Sequence, residues 1–148
     1  MPFIALEKNT NKRIDITQVK NPRLTLKNQD CICQLCGEPL IVRSEFMRSG
    51  YLVQAHFYHY QGACKSKYEV HPESPEHLRC KELVAQALRA QFAEFSDATI
   101  EFEVVVPEAN RVADILITFP MGWRVAHEIQ LSPISPDKLE ERTNAYNS

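Results

Sequence analysis

Four of the chain's five cysteines fall between positions 31 and 64, three of them in Cys31-Ile-Cys33-Gln-Leu-Cys36, which restricts the N-terminal part to folds that gather thiols at one point. In a reducing compartment this odd-numbered, crowded spacing suits a metal better than a disulfide framework. Downstream, His56-Phe-Tyr-His59 and Cys64 add two imidazoles and a further thiol. A Cys-x2-Cys turn lets both sulfurs reach one ion at about 2.3 Å, and a hairpin can bring two more ligands to complete a tetrahedron. The expected set is Cys33, Cys36, His59 and Cys64 around a structural zinc. His56 could replace His59; in a strand the two face opposite sides, so only one would bind. Cys31 is the other spare, and the bland alternative makes all of these cysteines small core hydrophobes. Four protein ligands leave no open position, so this zinc would hold the fold and take no part in catalysis.

Around the cysteines the chain reads as short strands with polar breaks. Phe3 to Leu6 and Arg13 to Ile16 flank the turn-forming Asn9-Thr10-Asn11, and Pro39 to Phe46 and Tyr51 to His59 flank Ser49-Gly50. Both are expected to be hairpins. Residues 1–70 are thus read as a small zinc-binding β-hairpin domain and residues 71–148 as a second domain. A chain of 148 residues, 44% hydrophobic and 24% charged, can bury enough surface for one ordinary domain or two small ones. No apolar run approaches the roughly 20 residues needed to span a bilayer. The N-terminus Met-Pro-Phe-Ile-Ala-Leu-Glu-Lys carries charge where a signal peptide needs its hydrophobic stretch, so a soluble, cytoplasmic protein is expected. With a net charge of −2 and a pI near 6.2, any basic surface must be local.

The second part opens on Pro72-Glu73-Ser74-Pro75-Glu76. Ser74 suits a helix N-cap and Pro75 the first helical position, predicting a helix to about Phe92. Cys80, Leu83, Val84, Ala87 and Leu88 make one stripe at helical spacing, which Glu76 extends by a turn, so Glu76 is expected to point inward. Three strands follow. Ile100, Phe102, Val104 and Val106 alternate with their neighbours, Val112 to Phe119 is almost continuously apolar, and Arg124 to Leu131 is the third. Ser135-Pro136 repeats the capping device and predicts a helix to about Tyr146.

In Phe119-Pro120-Met121-Gly122-Trp123, proline suits the second position of a type I turn and glycine the left-handed residue after it. A three-residue hairpin loop with Phe119 opposite Trp123 follows. Counting five steps down each strand places Asp114 opposite Glu128, with Cβ atoms about 5 Å apart on one face, and Gln130 on that face beyond. Two carboxylates so close repel unless a cation lies between them, and oxygen ligands suit magnesium or manganese. The alternative is a strand-edge Asp114 paired with Arg111.

Aspartate, then Glu-x-Gln, on successive strands after a helix with an inward glutamate resembles the PD-(D/E)XK nuclease superfamily. Glu73-Ser-Pro-Glu-His-Leu-Arg-Cys-Lys81, Arg111-Val-Ala-Asp-Ile115, Glu128-Ile-Gln-Leu-Ser132 and Glu141-Arg-Thr-x-x-Tyr146, with the Cys/His head, are similar to the competence protein CoiA family. The resemblance implies an α+β fold: a restriction-endonuclease-like αβββα core preceded by a small β-rich zinc-binding domain. The superfamily core has another strand after the second helix, so a C-terminally truncated domain is expected. The implied activity is divalent-metal-dependent DNA phosphodiester hydrolysis in DNA uptake, recombination or processing. Its partners would be DNA and recombination or DNA-uptake proteins. Asp114, Glu128 and Glu76 would bind Mg²⁺ or Mn²⁺, and Gln130 stands where most of the superfamily places lysine. A glutamine orients water but carries no charge, so a cation would come from Lys81, Lys138 or Arg142. His77 would pack or face DNA, and Arg142 and Tyr146 would touch phosphate or support Glu128. The competing reading is a catalytically weak or inactive DNA-binding recombination accessory module, which the uncharged Gln130 favours.

Overall fold

Alternation and turn chemistry set the first elements. In the computed structural model, which describes residues 2–60, 62, 64–68, 73–91 and 96–147, Ile4–Glu7 (β1) pairs antiparallel with Arg13–Asp15 (β2). Asn11 takes the left-handed conformation (φ 54°) at the turn, and the Glu7 carboxylate accepts from the Asn9 and Thr10 amides. These bonds hold its pKa below the ordinary carboxylate range, the Thr10 hydroxyl bond contributing most. A short helical turn, Pro22–Thr25 (α1), leads to Cys31–Ile32 (β3), which pairs with the other edge of β1 to give the order β2-β1-β3.

The second expected hairpin forms, but in two pieces. Leu40–Arg43 (β4) pairs with His56–His59 (β7), and Phe46–Arg48 (β5) pairs with Tyr51–Val53 (β6). Leu40↔His59 and Phe46↔Val53 keep one register, so this is a single ribbon whose ladder lapses at Ser44-Glu45 and Gln54-Ala55. Ser49 and Gly50, both at positive φ, close it with the two-residue turn that matches strand twist.

The later elements run in the order helix, three strands, helix. Pro75–Gln91 (α2) starts as expected, with the His77 amide on Ser74 Oγ at 3.2 Å; its expected end at Phe92 lies outside the described residues. Thr99–Val106 (β8), Arg111–Thr118 (β9) and Arg124–His127 (β10) form an antiparallel sheet of order β10-β9-β8. The third strand is shorter than the expected Arg124 to Leu131, because beyond His127 Asp114 engages the chain through its side chain. Pro136–Tyr146 (α3) begins where expected, with Ser135 Oγ accepting from the Lys138 amide. Both helices and sheets are present, an α+β architecture. Among the described residues no helix is long and apolar enough to cross a membrane.

The chain divides into two compact units, residues 1–67 with 71–79, and residues 68–70 with 80–148. In the first, Phe3, Ile4, Ile16, Leu40, Val53 and Phe57 are buried. In the second, Ile100, Phe102, Ile115 and Ile117 are buried, and Val106, Ala109, Ala113 and Leu116 form a cluster flanked by Ala126, Ala145 and Tyr146 of β10 and α3.

The stripe expected along α2 coincides with the buried face only in part: Leu88 is buried and Cys80, Val84 and Ala87 are half-buried. Leu83 is 53% exposed and Glu76 is exposed, whereas His77, Leu78, Lys81, Ala85 and Leu88 are buried. The inward face carries an imidazole and an ammonium, so a search for apolar spacing settles to one side of it.

Candidate functional site

The first cluster is built on a tight turn. The Cys33 amide bonds Glu38 O at 2.8 Å, the Gly37 amide bonds Cys33 O at 2.9 Å, and the Leu35 amide points at Cys33 Sγ at 3.4 Å. Gly37, at φ 76°, permits the reversal. β7 supplies His59 and the segment after it Cys64. The ligand atoms of Cys33, Cys36, His59 and Cys64 lie within 4.8 Å of one another. Cys33 Sγ is 3.8 Å from Cys64 Sγ, and Cys36 Sγ is 3.3 Å from His59 Nε2. A tetrahedron with zinc–sulfur bonds of about 2.3 Å and zinc–nitrogen bonds of about 2.05 Å has edges of about 3.8 and 3.5 Å. The four groups therefore could hold a metal such as zinc.

Electrostatics agree with that use. Burial pushes the Cys33 thiol up, and burial with the neighbouring Cys33 charge pushes Cys64 up to about 12. Burial also raises Cys36, but bonds from the Glu38 amide and the Cys33 and Cys64 thiols outweigh it and bring the thiol below its ordinary value. Thiols so crowded resist becoming thiolates together without a cation. His56 is not in the cluster: it is 3% exposed and its Nδ1 meets Gln54 O at 2.8 Å. Cys31 is buried in β3.

The second cluster rests on the β9–β10 hairpin. Gly122, at φ 90°, sends its amide to Phe119 O, and the Phe119 amide meets Trp123 O at 2.8 Å. The pairs Arg124↔Thr118 to His127↔Ile115 follow, and the ladder ends there, one step short of Asp114 and Glu128. This is the register that the turn chemistry predicts. Asp114 is 7% exposed, and its Oδ2 accepts the Ile129 amide at 2.8 Å. Burial first, then the Asp114 charge, pushes Glu128 up to about 7, so the two carboxyls act on one another. Tyr146 of α3 donates its hydroxyl to Glu128, and burial with that carboxylate raises the phenol.

Gln130, expected on the same strand face, lies beyond the end of β10 and is exposed. Its Oε1 accepts from Arg142 at 2.6 Å, and its Nε2 donates to Ser132 O and Oγ. Arg142 also draws the Glu128 pKa down, opposing its burial, so its charge does reach that carboxyl. Arg111, the alternative partner of Asp114, reaches Glu141 at 3.3 Å. Lys138 is exposed on the first turn of α3. Glu76 is exposed, contrary to its expected inward position, whereas His77, expected to pack or to face DNA, is buried with Nδ1 3.4 Å from Glu73 Oε1.

Lys81 is fully buried, and its Nζ lies 2.9 Å from Glu103 Oε2. Glu103 is a residue that sequence reasoning missed. It stands in the middle of β8 at φ 50° and drops out of the ladder between Phe102↔Ile115 and Val104↔Ala113, at the step that would face Asp114. Alternation assigns it to the solvent side. The signal that finds it is the four-residue link Pro107-Glu-Ala-Asn110, whose left-handed Asn110 sets Val106 against Arg111 and, by counting, Glu103 beside Asp114.

Residues 73–148 match the family described as competence protein CoiA, nuclease-like domain. No curated protein and no solved structure gives a significant match. The chain belongs to the competence protein CoiA family.

Proposed function

We propose that this chain hydrolyses DNA phosphodiester bonds with a divalent cation held by Asp114 and Glu128, in DNA uptake, recombination or processing. The influence of these two carboxyls on one another, one step beyond the last β9–β10 pair, carries the reading. Groups that oppose each other in a partly buried place are satisfied either by a shared proton or by a hard cation, and oxygen donors suit Mg²⁺ or Mn²⁺. Such a cation supplies Lewis acidity for in-line attack of water on phosphorus. Asp114 is fixed by the Ile129 amide and Glu128 by the Tyr146 hydroxyl, so both are oriented before any ligand arrives. On this reading the helix–three-strand–helix order is a restriction-endonuclease-like core. Residues 1–70 are a separate domain around a structural zinc, residues 71–148 are the nuclease domain, and DNA is the partner.

A second reading, a DNA-binding recombination accessory of low or no turnover, is favoured by Gln130. Its amide is engaged by Arg142 and Ser132, where a superfamily lysine would address the attacking water. Incubating linear, nicked and single-stranded DNA with Mg²⁺ or Mn²⁺ separates the two. Hydrolysis lost in Asp114→Ala and Glu128→Ala supports the first reading; cleavage persisting in both variants removes the assignment, and binding without cleavage selects the accessory role.

A further inference from the structure

The net charge of −2 conceals a segregation. The first unit, residues 1–67 with 71–79, carries eleven Lys and Arg against seven Asp and Glu, a net of +4, while the second, residues 68–70 with 80–148, carries six against twelve, a net of −6. A zinc ion on three thiolates would subtract one unit from the first figure without changing its sign. The carboxylate-bearing unit is thus electrostatically unsuited to attract a polyanion, and the cysteine-rich unit is suited.

We infer that the N-terminal unit carries the nucleic-acid docking surface, centred on the loop 20–30, and that it grips the DNA phosphate backbone without reading sequence. In that loop Lys20, Arg23 and Lys27 are exposed. Arg23 and Lys27 line an open cleft of about 600 Å³ together with Leu26, Asn28, Gln29 and Asp30. Asp30, the one carboxylate lining it, is half-buried.

The loop is held in place, so the cations sit on a fixed scaffold. Pro22 is buried, Thr25 Oγ1 bonds Lys20 O at 2.9 Å, and Asn28 Oδ1 accepts the Val42 amide of β4 at 2.9 Å. The Arg23 amide reaches Ser44 Oγ at 3.4 Å, next to Arg43. Arg43 is exposed and lies 4.2 Å over the Phe46 ring and 5.9 Å from that of Tyr58, which adds an arginine–aromatic step to the surface. Of the seven carboxylates in this unit, Glu7 and Asp15 cap their own turns, and Glu38, Glu45 and Glu76 are exposed, the last far along the chain from the loop. Fixed cations interleaved with aromatic faces, and few opposing carboxylates, match a phosphate backbone and its bases. The choice of DNA as the polyanion rests on the proposed function; the location of the surface does not.

The test is fluorescence anisotropy on the full-length, zinc-loaded chain carrying Asp114→Ala to suppress cleavage, with labelled duplex and single-stranded DNA over a salt series. Adding Lys20→Glu, Arg23→Glu and Lys27→Glu should weaken binding by roughly tenfold or more and lower the slope of log affinity against log salt by about 2 to 3. Arg23→Lys with Lys27→Arg should keep both within about twofold, because backbone contacts need charge and not a particular head group. Zinc content and melting temperature unchanged in the triple variant exclude a folding defect. Affinity and slope unchanged in that variant, or no DNA binding by the parent, overturn the inference. Head-dependent binding in a protein that never cleaves upholds it and refutes the hydrolysis; cleavage with binding indifferent to the head does the reverse.

Discussion

Lys81 and Glu103 form a buried ion pair, the lysine fully inaccessible, on the sheet position next to Asp114. Removing one member strands a charge away from water, whereas replacing both by apolar groups removes the desolvation cost as well. Lys81→Met should therefore lose about 3–5 kcal/mol in urea denaturation, and Lys81→Met with Glu103→Leu should recover most of it. Equal losses in the single and double variants would show that packing, and not charge, matters there. Glu128 sets a pH dependence. Its folded pKa of about 7 stands above its ordinary 4.5, so the folded form holds more proton between these values and stability falls as pH rises through them. Without added divalent metal, the melting temperature of Glu128→Gln should gain on that of the parent from pH 5 to pH 7. The buried His56 and His59, whose pKa values burial lowers, act in the opposite direction and in both proteins alike, so the difference between the two isolates Glu128. A difference that stays constant over this range would remove Glu128 as its source.

The β9–β10 hairpin owes its register to two turn residues, Pro120 and Gly122. Pro120 presets the turn, and Gly122 supplies φ 90°, with open space where a Cβ would stand. Gly122→Ala meets no clash, so its cost is conformational, about 1–2 kcal/mol in thermal or chemical denaturation, with the sheet preserved. A neutral effect would mean that the ladder itself fixes the register. This hairpin was legible in the sequence because turn chemistry and a period of two are local. The capped starts of α2 and α3 were legible for the same reason, since Ser-Pro pairs act through adjacent amides. The buried side of α2 was legible only in part. Its partner, Glu103, comes from a strand 22 positions away, and the lapse of the ribbon at Ser44-Glu45 and Gln54-Ala55 answers to packing that no periodicity encodes.

Two compact units in one chain should unfold separately. The first gathers four potential metal ligands among short strands, where a bound ion supplies stability that a small core does not. Chelation should therefore abolish amide protection in β4 and β7 while β8 and β9 keep theirs, as read by hydrogen exchange; equal loss in both units would make zinc a determinant of the whole chain. The Cys33-x2-Cys36 turn, the Pro120–Gly122 turn and the β9–β10 register that leads to Asp114 and Glu128 were determined by the sequence alone, because each follows from backbone dihedrals and counting over a few residues. Tertiary structure alone decided that Glu76 faces water, that Lys81 meets Glu103, and that His59 and not His56 joins the cysteines. Those outcomes depend on which distant strand is neighbour to which side chain. There the cost of burying a charge is set by the partner it finds, and not by its place in the chain.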